Sequence, residues 1–383
     1  MNKAQKIIAK NAEEIVETVL DANEKGFALV PCGKGSIVKR IINLSDKKPP
    51  AFLSMEAMNT VEEFERNNLS ITVQAGITLK ELQDRLEGDN LFLPVTTENY
   101  GHRTVGSLVV ENAAGYEQYA YGTIQDYILG LRFVTPYGEL VKTGGKTVKN
   151  VSGYDFTRLF ARSWGTLGII TSVTFKLRPL PEKRTAVIFD VTSLEQAIEI
   201  INEIIANKVS AATLRAYNHE GWKLVVGLAG FHETVDDHSE RIRQIAQRTT
   251  MTKLECTKVN EFWQNYFADC PQSRFAIIGK GDKRVLTDMA VSLDREGLLK
   301  NAGFSEVDFG AGRLLINASP PNKLNIQQFI ESHIVSQQPE KFIFNFQEKQ
   351  PGLVYQRLKS ALDPNRIMFP NNRLISGDSH ACQ

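Results

Sequence analysis

The sequence predicts an α+β protein built in two successive parts, followed by a short tail. Three observations point there. The chain of 383 residues is longer than one hydrophobic core ordinarily serves. Leu177-Arg178-Pro179-Leu180-Pro181 is a proline-punctuated break. Beyond it strand-like and helix-like segments alternate, the texture of a separate α+β layer. The expected parts are therefore 1–180, 181–350 and a tail at 351–383.

Ile7, Ile8, Ile15, Val16, Val19 and Leu20 recur at helical spacing and predict one amphipathic helix over 3–24, ended by Lys25-Gly26. Phe27–Val30 reads as a buried strand running into the turn Pro31-Cys32-Gly33-Lys34-Gly35-Ser36. Further strands are expected at 39–43, 52–54 and 70–74. Thr78 with Glu81 three residues on has capping-box spacing, so a helix is expected over 78–86. Residues 91–125 hold Pro94, Gly101, Gly106, Gly115 and Gly122 with little periodicity, which inside a compact domain points to function. Strands are expected again at 128–134, 139–143 and 168–177, with a short helix near 155–162. In the second part the strand-like segments are 186–190, 212–216, 223–228, 274–279 and 312–317. The helical ones are 193–207, 235–248, 284–299 and 323–334, and another helix opens the tail.

Composition narrows the function. Lys plus Arg (45) and Asp plus Glu (44) nearly cancel, so no long-range field draws in nucleic acid or an anionic membrane. Cys32, Cys256, Cys270 and Cys382 are scattered, without the grouped thiolates of an iron–sulfur or structural zinc site. No bound metal is expected. The start lacks the apolar core of a signal peptide, and no apolar run approaches the ~20 residues needed to cross a bilayer. A cytoplasmic protein with no direct membrane insertion is expected.

Four glycine-bearing segments carry the chemistry. In Pro31–Ser36, glycines after a buried strand free amides to converge on an anion, and Ser36 adds a hydroxyl. A P-loop is ruled out because glycine follows Lys34, and a Rossmann fingerprint because a strand rather than a helix follows Gly35. A strand–turn–strand pyrophosphate cradle and an ordinary tight turn both remain open. Thr104-Val105-Gly106-Ser107 and Asn112-Ala113-Ala114-Gly115 would let backbone approach a ligand from two points, or let a helix pack tightly on a neighbour. Tyr121–Gly130 and Ser163–Ile170 each set glycine before an apolar strand. Each segment alone is weak, and it is their order that is informative.

In that order the motifs resemble the FAD-binding fold of the vanillyl-alcohol oxidase/p-cresol methylhydroxylase superfamily. Lys149-Asn150-Val151-Ser152-Gly153-Tyr154-Asp155-Phe156-Thr157-Arg158-Leu159-Phe160 is similar to the glycolate oxidase/dehydrogenase branch, and the short chain to its FAD-binding accessory subunit. The match is strong over about 25–180, and weaker in Val307–Gly312 and Asp363–Asn371. The resemblance implies a p-cresol methylhydroxylase-type FAD-binding domain of two α/β subdomains, an α+β cap, and a tail that returns to the first domain. It places the FAD pyrophosphate on Pro31, Cys32, Gly33, Lys34, Gly35 and Ser36, flanked by Thr96, Thr97 and Glu98. Thr104, Val105, Gly106, Ser107, Asn112 and Gly115 would wrap phosphates, ribose and flavin edge. Ile169 or Ile170 would touch the adenine, and Asn371 or Asn372 would come back to the flavin ring.

The resemblance also implies a 2-hydroxy-acid substrate, and a hetero-oligomer with a paralogous flavoprotein and an iron–sulfur subunit. Departures qualify it. His102 and Cys32 do not sit where covalent flavin tethers sit, so FAD is expected to be non-covalent. Trp164 replaces the glutamate usual in the catalytic branch. His219, His232, His238 and His333 form no histidine/acid cluster in sequence, so substrate oxidation is expected mainly in the partner. Glu111 and Asp126 are possible bases, with structural roles the expected alternative.

Overall fold

The amino-terminal segment is a strand followed by a helix. The computed structural model describes residues 5–34, 50–97, 101–145, 156–161, 163–248, 254–257, 277–334, 342–345 and 353–368. In it β1 is Gln5–Ile8 and helix α1 is Ala12–Lys25. Ile7 and Ile8 satisfy either period, and pairing decided between them. β1 runs parallel to β3 (Pro50–Ser54), from Gln5 opposite Ala51 to Ile8 opposite Ser54. Asn11 starts the helix by accepting a hydrogen bond from the Glu14 amide at 2.8 Å, and Gly26 ends it at φ 71°.

The described residues fall into two units. The first comprises those within Met1–Gly115, Thr123–Leu180 and Glu348–Ser376; the second, those within Tyr116–Gly122 and Pro181–Gln347. In the first unit β2 (Ala28–Cys32) completes a three-stranded sheet, β1-β3-β2, with β3 in the middle. Met368 bridges Leu29 in parallel on its far edge, and the Leu29 amide donates to the Ile367 carbonyl at 2.6 Å. Ile15, Val19 and Ala22 of α1 pack on Leu29, Ala51 and Leu53 in one buried cluster.

An antiparallel five-stranded sheet forms the other layer of this unit. Its strands are β4 (Val61–Glu65), β5 (Ser70–Gln74), β7 (Ile128–Val134), β8 (Leu140–Gly144) and β9 (Ile169–Lys176), in the order β4-β5-β9-β7-β8. β6 (Leu91–Phe92) and β10 (Arg178–Pro179) make a small ribbon. Helix α2 (Leu79–Glu87) begins on the expected capping box: the Thr78 amide donates to Glu81 Oε2 at 2.8 Å, and the Glu81 amide to Thr78 Oγ1 at 3.2 Å. The irregular stretch contains a short helix, α3 (Val105–Glu111), whose burial on nearly every side erased its periodicity.

The second unit is an eight-stranded sheet with helices. Its strands are β11 (Lys183–Val191), β12 (Thr213–Asn218), β13 (Trp222–Gly230), β14 (Leu254–Thr257), β15 (Ile277–Gly281), β16 (Phe304–Asp308), β17 (Arg313–Asn317) and β18 (Phe342–Asn345). They run in the order β14-β11-β13-β12-β16-β17-β15-β18. Leu214, Ala216, Val307, Leu314 and Ile316 join Ile200, Ile204, Leu286 and Leu293 of the helices Leu194–Ala206 and Lys283–Arg295 in one core. Strand alternation then sends Arg215, Glu306, Asp308 and Arg313 to the opposite face, where they are also buried. Arg215 pairs with Glu306 at 2.8 Å and Asp308 at 2.7 Å, and its guanidinium lies 5.5 Å from the Tyr116 ring centre. Charges on one face and apolar residues on the other hid β16 from a reading by composition.

Candidate functional site

The segments singled out in the sequence meet in the first unit. The chain leaves β2 at Cys32, and the Pro31–Gly33 backbone stands against Thr104. A Cβ on Gly33 would lie 2.2 Å from Thr104 Oγ1, so only glycine allows this approach. Gly106 is pressed on Ala75, where a Cβ would lie 3.0 Å from the alanine methyl. Between them opens a small cleft with an open mouth. Pro31, Cys32 and Gly33 form one wall, Gly106 and Ser107 another, and Trp164, Gly165, Gly168 and Ile170 a third.

Thr104 is a buried N-cap residue of α3. The Ser107 hydroxyl donates to its carbonyl at 2.7 Å. Val105 is fully buried, and its amide donates to Ile77 O while the Gly106 amide donates to Ala75 O, both at 2.8 Å. Those two amides are spent on protein carbonyls. Asn112 closes α3 at φ 52°, its Oδ1 accepting the Gln125 amide at 3.3 Å, which is a capping role. Gly115 lies against Thr96, with a virtual Cβ 2.5 Å from the Thr96 amide nitrogen. Ile169 points into the buried cluster under α1, and its neighbour Ile170 faces the cleft. Lys34 is exposed. Gly35, Ser36, Glu98, Asn371 and Asn372 lie outside the described residues, as does the expected strand at 39–43.

Thr96 and Thr97 carry a distinct signal. Both hydroxyls are buried, and neither has a hydrogen-bond partner among the described residues. A buried orphan hydroxyl costs roughly 1–3 kcal/mol unless something else satisfies it. The donor set is neutral, and of the residues lining the cleft Cys32 alone carries an ionisable group. Burial pushes its thiol up to about 11, so the sulfur is a proton-bearing, poorly nucleophilic wall. Glycine-lined close approach and an uncharged lining fit a dinucleotide that brings its own diphosphate, with the orphan Thr96 and Thr97 hydroxyls outside the lining, Thr96 beside Gly115.

The possible bases both have protein partners. Glu111 is buried against Arg103 at 2.5 Å, and Asp126 accepts from the Thr123 amide at 2.7 Å in a capping box. His219 approaches the Gly303 carbonyl at 3.2 Å and His232 faces Asp236 at 3.3 Å. Among the described residues no three His, Cys, Asp or Glu side chains group to hold a metal. No helix there is long and apolar enough to cross a membrane. Met55, Val110, Trp164, Gly165 and Gly168 line the cleft without having been named as ligands from sequence. The Ser163–Ile170 motif contained three of them, but sequence alone carried no sign that its turn, and not only its strand, faced the cleft.

Known proteins agree on the class. Residues 4–144 match the family model described as "FAD binding domain". That part of the chain belongs to this family, which makes the protein an FAD-binding flavoprotein of the p-cresol methylhydroxylase type. Glycolate oxidase subunit GlcD of Bacillus subtilis is 30% identical over 276 residues, covering 67% of this chain and 57% of that protein. A D-lactate dehydrogenase of Archaeoglobus fulgidus is 33% identical over 198 residues, covering 51% and 43% respectively. The mitochondrial D-lactate dehydrogenase [cytochrome] of Arabidopsis thaliana is 27% identical over 319 residues, covering 79% and 56%. This chain spans about half the length of the curated relatives it matches. A solved alkyldihydroxyacetonephosphate synthase superposes with a TM-score of 0.70 at 18% identity, covering 96% of this chain and 76% of that one, which shows the shared fold.

Proposed function

We propose that this chain binds one FAD non-covalently in the first-unit cleft and serves as the FAD-binding subunit of a glycolate-type 2-hydroxy-acid dehydrogenase or oxidase in the cytoplasm. Its partners in this reading are a paralogous flavoprotein and an iron–sulfur subunit. The observation that carries the proposal is the meeting of the Pro31–Gly33 turn with Gly106 and Ser107 around one cleft. The relatives named for glycolate oxidase and D-lactate dehydrogenase support the substrate class, a small 2-hydroxy acid.

FAD, when bound in this cleft, would supply a two-electron acceptor for a hydride equivalent. The chain's own residues do the holding. Gly33 and Gly106 let the turn stand on Thr104 and α3 stand on Ala75, which brings the two walls together around the diphosphate. The Thr96 and Thr97 hydroxyls are the proposed side-chain donors to the cofactor. Ile170 closes the apolar side. Residues Gly35, Ser36, Glu98 and Asn371 complete the proposed set. Cys32 stays a neutral thiol and forms no tether.

The visible spectrum of the purified chain before and after acid precipitation tests the cofactor claim. Yellow colour released to the supernatant is the expected result; colour kept in the pellet rules out non-covalent binding. Anaerobic addition of glycolate or D-lactate tests the division of labour. The subunit reading expects no bleaching of the isolated chain and turnover once both partner chains are added. Bleaching by the chain alone would identify a self-sufficient dehydrogenase, the reading favoured by its similarity to D-lactate dehydrogenases.

A further inference from the structure

One wall of the cleft is a turn whose side chain and backbone disagree. Ser163–Thr166 is closed by the Thr166 amide donating to the Ser163 carbonyl at 3.0 Å. Its two central residues are both left-handed, Trp164 at φ 54° and Gly165 at φ 73°. Positive φ at both positions is the mirror-image turn in which the first central residue is ordinarily Asn, Asp or Gly. A bulky aromatic there crowds its own backbone, and such residues concentrate at ligand sites because the surrounding structure must hold them. Among the described residues, the other non-glycine positive-φ positions are Leu69, Asn90, Asn112, Lys208 and Arg366. None of those lines the cleft, and none is aromatic.

The turn is also anchored. The Trp164 amide donates to the Val110 carbonyl of α3 at 3.0 Å, which fixes the residue beside Gly106 and Ser107. Yet the residue is only half-buried, and it lines the cleft. Packing within the chain therefore does not explain why the strained position is a tryptophan. An aromatic face presented to a cleft suits a flat ring, and every base or flavin ring has a π-face to offer.

We propose that Trp164 is a cofactor-contact residue whose indole lies against one of the planar rings of the bound dinucleotide. This rests on the FAD reading above. The contact explains why the turn carries tryptophan where asparagine would fit the backbone better.

Trp164→Asn and Trp164→Phe in the full chain, freed of flavin, test it by titration with FAD, FMN and ADP. Trp164→Asn is expected to weaken FAD binding about tenfold, the scale of one base–aromatic stack. Its thermal midpoint without FAD is expected to hold or rise, because Asn-Gly suits the turn. Trp164→Phe keeps most of the affinity but loses most of the FAD-induced quenching of tryptophan emission, although Trp222 and Trp263 remain. Weakened ADP binding places the adenine on the indole, and weakened FMN binding places the flavin there. Unchanged FAD affinity in Trp164→Asn overturns the proposal while leaving FAD binding intact. A lowered midpoint accompanying lost affinity overturns it too, by showing a packing role. If the wild-type chain takes up no FAD, both readings fall.

Discussion

Lys359 reaches across 193 positions of the chain to donate to the Thr166 carbonyl at 2.6 Å. The same ammonium donates to the Met368 carbonyl and to Asp363 Oδ2, each at 2.5 Å. Asp363 in turn accepts from the amides of Ile367 at 2.9 Å and Met368 at 3.0 Å. A single buried cation thus joins the cleft turn at Thr166 to the tail that lies along β2.

Replacing that cation by an apolar side chain leaves Asp363 buried without its counter-charge. Lys359→Met is expected to cost about 3–5 kcal/mol, the scale for breaking one partner of a buried pair. Urea unfolding of the full chain measures it. A change under about 1 kcal/mol, the scale of an exposed pair, would show that the clasp is not closed in solution.

Two closely packed glycines of the site, Gly33 and Gly115, should respond differently to rescue. Gly33→Ala meets the Thr104 side chain, with Oγ1 at 2.2 Å and Cγ2 at 2.5 Å, whereas Gly115→Ala meets the Thr96 amide nitrogen at 2.5 Å. Both are expected to lose roughly 1–3 kcal/mol of stability through overpacking. Thr104→Ala should recover part of the Gly33→Ala loss. Thr96→Ala should recover little of the Gly115→Ala loss, because the obstacle is backbone. Thermal midpoints of the wild type, the two glycine variants and the two double variants decide it, and equal rescue at both sites would refute the packing assigned here.

Cys32 predicts an alkaline signature. Its thiol, pushed from an ordinary 9.0 up to about 11, favours the protonated form on folding. The stability this contributes is complete below pH 9 and is lost as pH rises through about 11. Relative to Cys32→Ala, the wild type should lose roughly 2 kcal/mol between pH 8 and pH 10.5. Peptide mapping after iodoacetamide at pH 8 should find Cys32 scarcely modified, and rapid labelling would contradict its burial.

Glu117 predicts the same sign in the second unit. Burial raises its carboxyl above the usual value, opposed by Arg184 at 3.4 Å. The stability tied to its neutral form is full at acid pH and lost as pH rises through the folded-state value. Glu117→Gln carries no charge to desolvate. Its stability relative to wild type should therefore improve from pH 5 to pH 8 in paired urea titrations. A constant difference would mean that Arg184 holds the carboxylate charged throughout.

Local signals in the chain translated directly into structure where the partner groups were close in sequence. Thr78 and Glu81 announced α2 because both halves of the capping box lie within one turn. Ser70–Gln74 and Ile128–Val134 read as strands because burial and alternation are written in the residues themselves. The glycine motifs were visible for the same reason, since a missing side chain is a property of one position. Pairing and burial against distant segments were not visible. Ile7 and Ile8 became a strand only because β3 stands beside them. Arg215, Glu306 and Asp308 are inside only because they meet one another across strands 91 or more residues apart in sequence.

The amino-acid sequence by itself determined the α+β character, the glycine-rich turns and the neutral charge balance, all of which depend on composition and short-range spacing. Tertiary structure alone decided that Gly33 faces Thr104, that Ile170 and not Ile169 faces the cleft, and that Trp164 stands on its wall. The reason is that each of these depends on which distant backbone occupies the adjacent space, and that is settled only when the sheets close on their shared core.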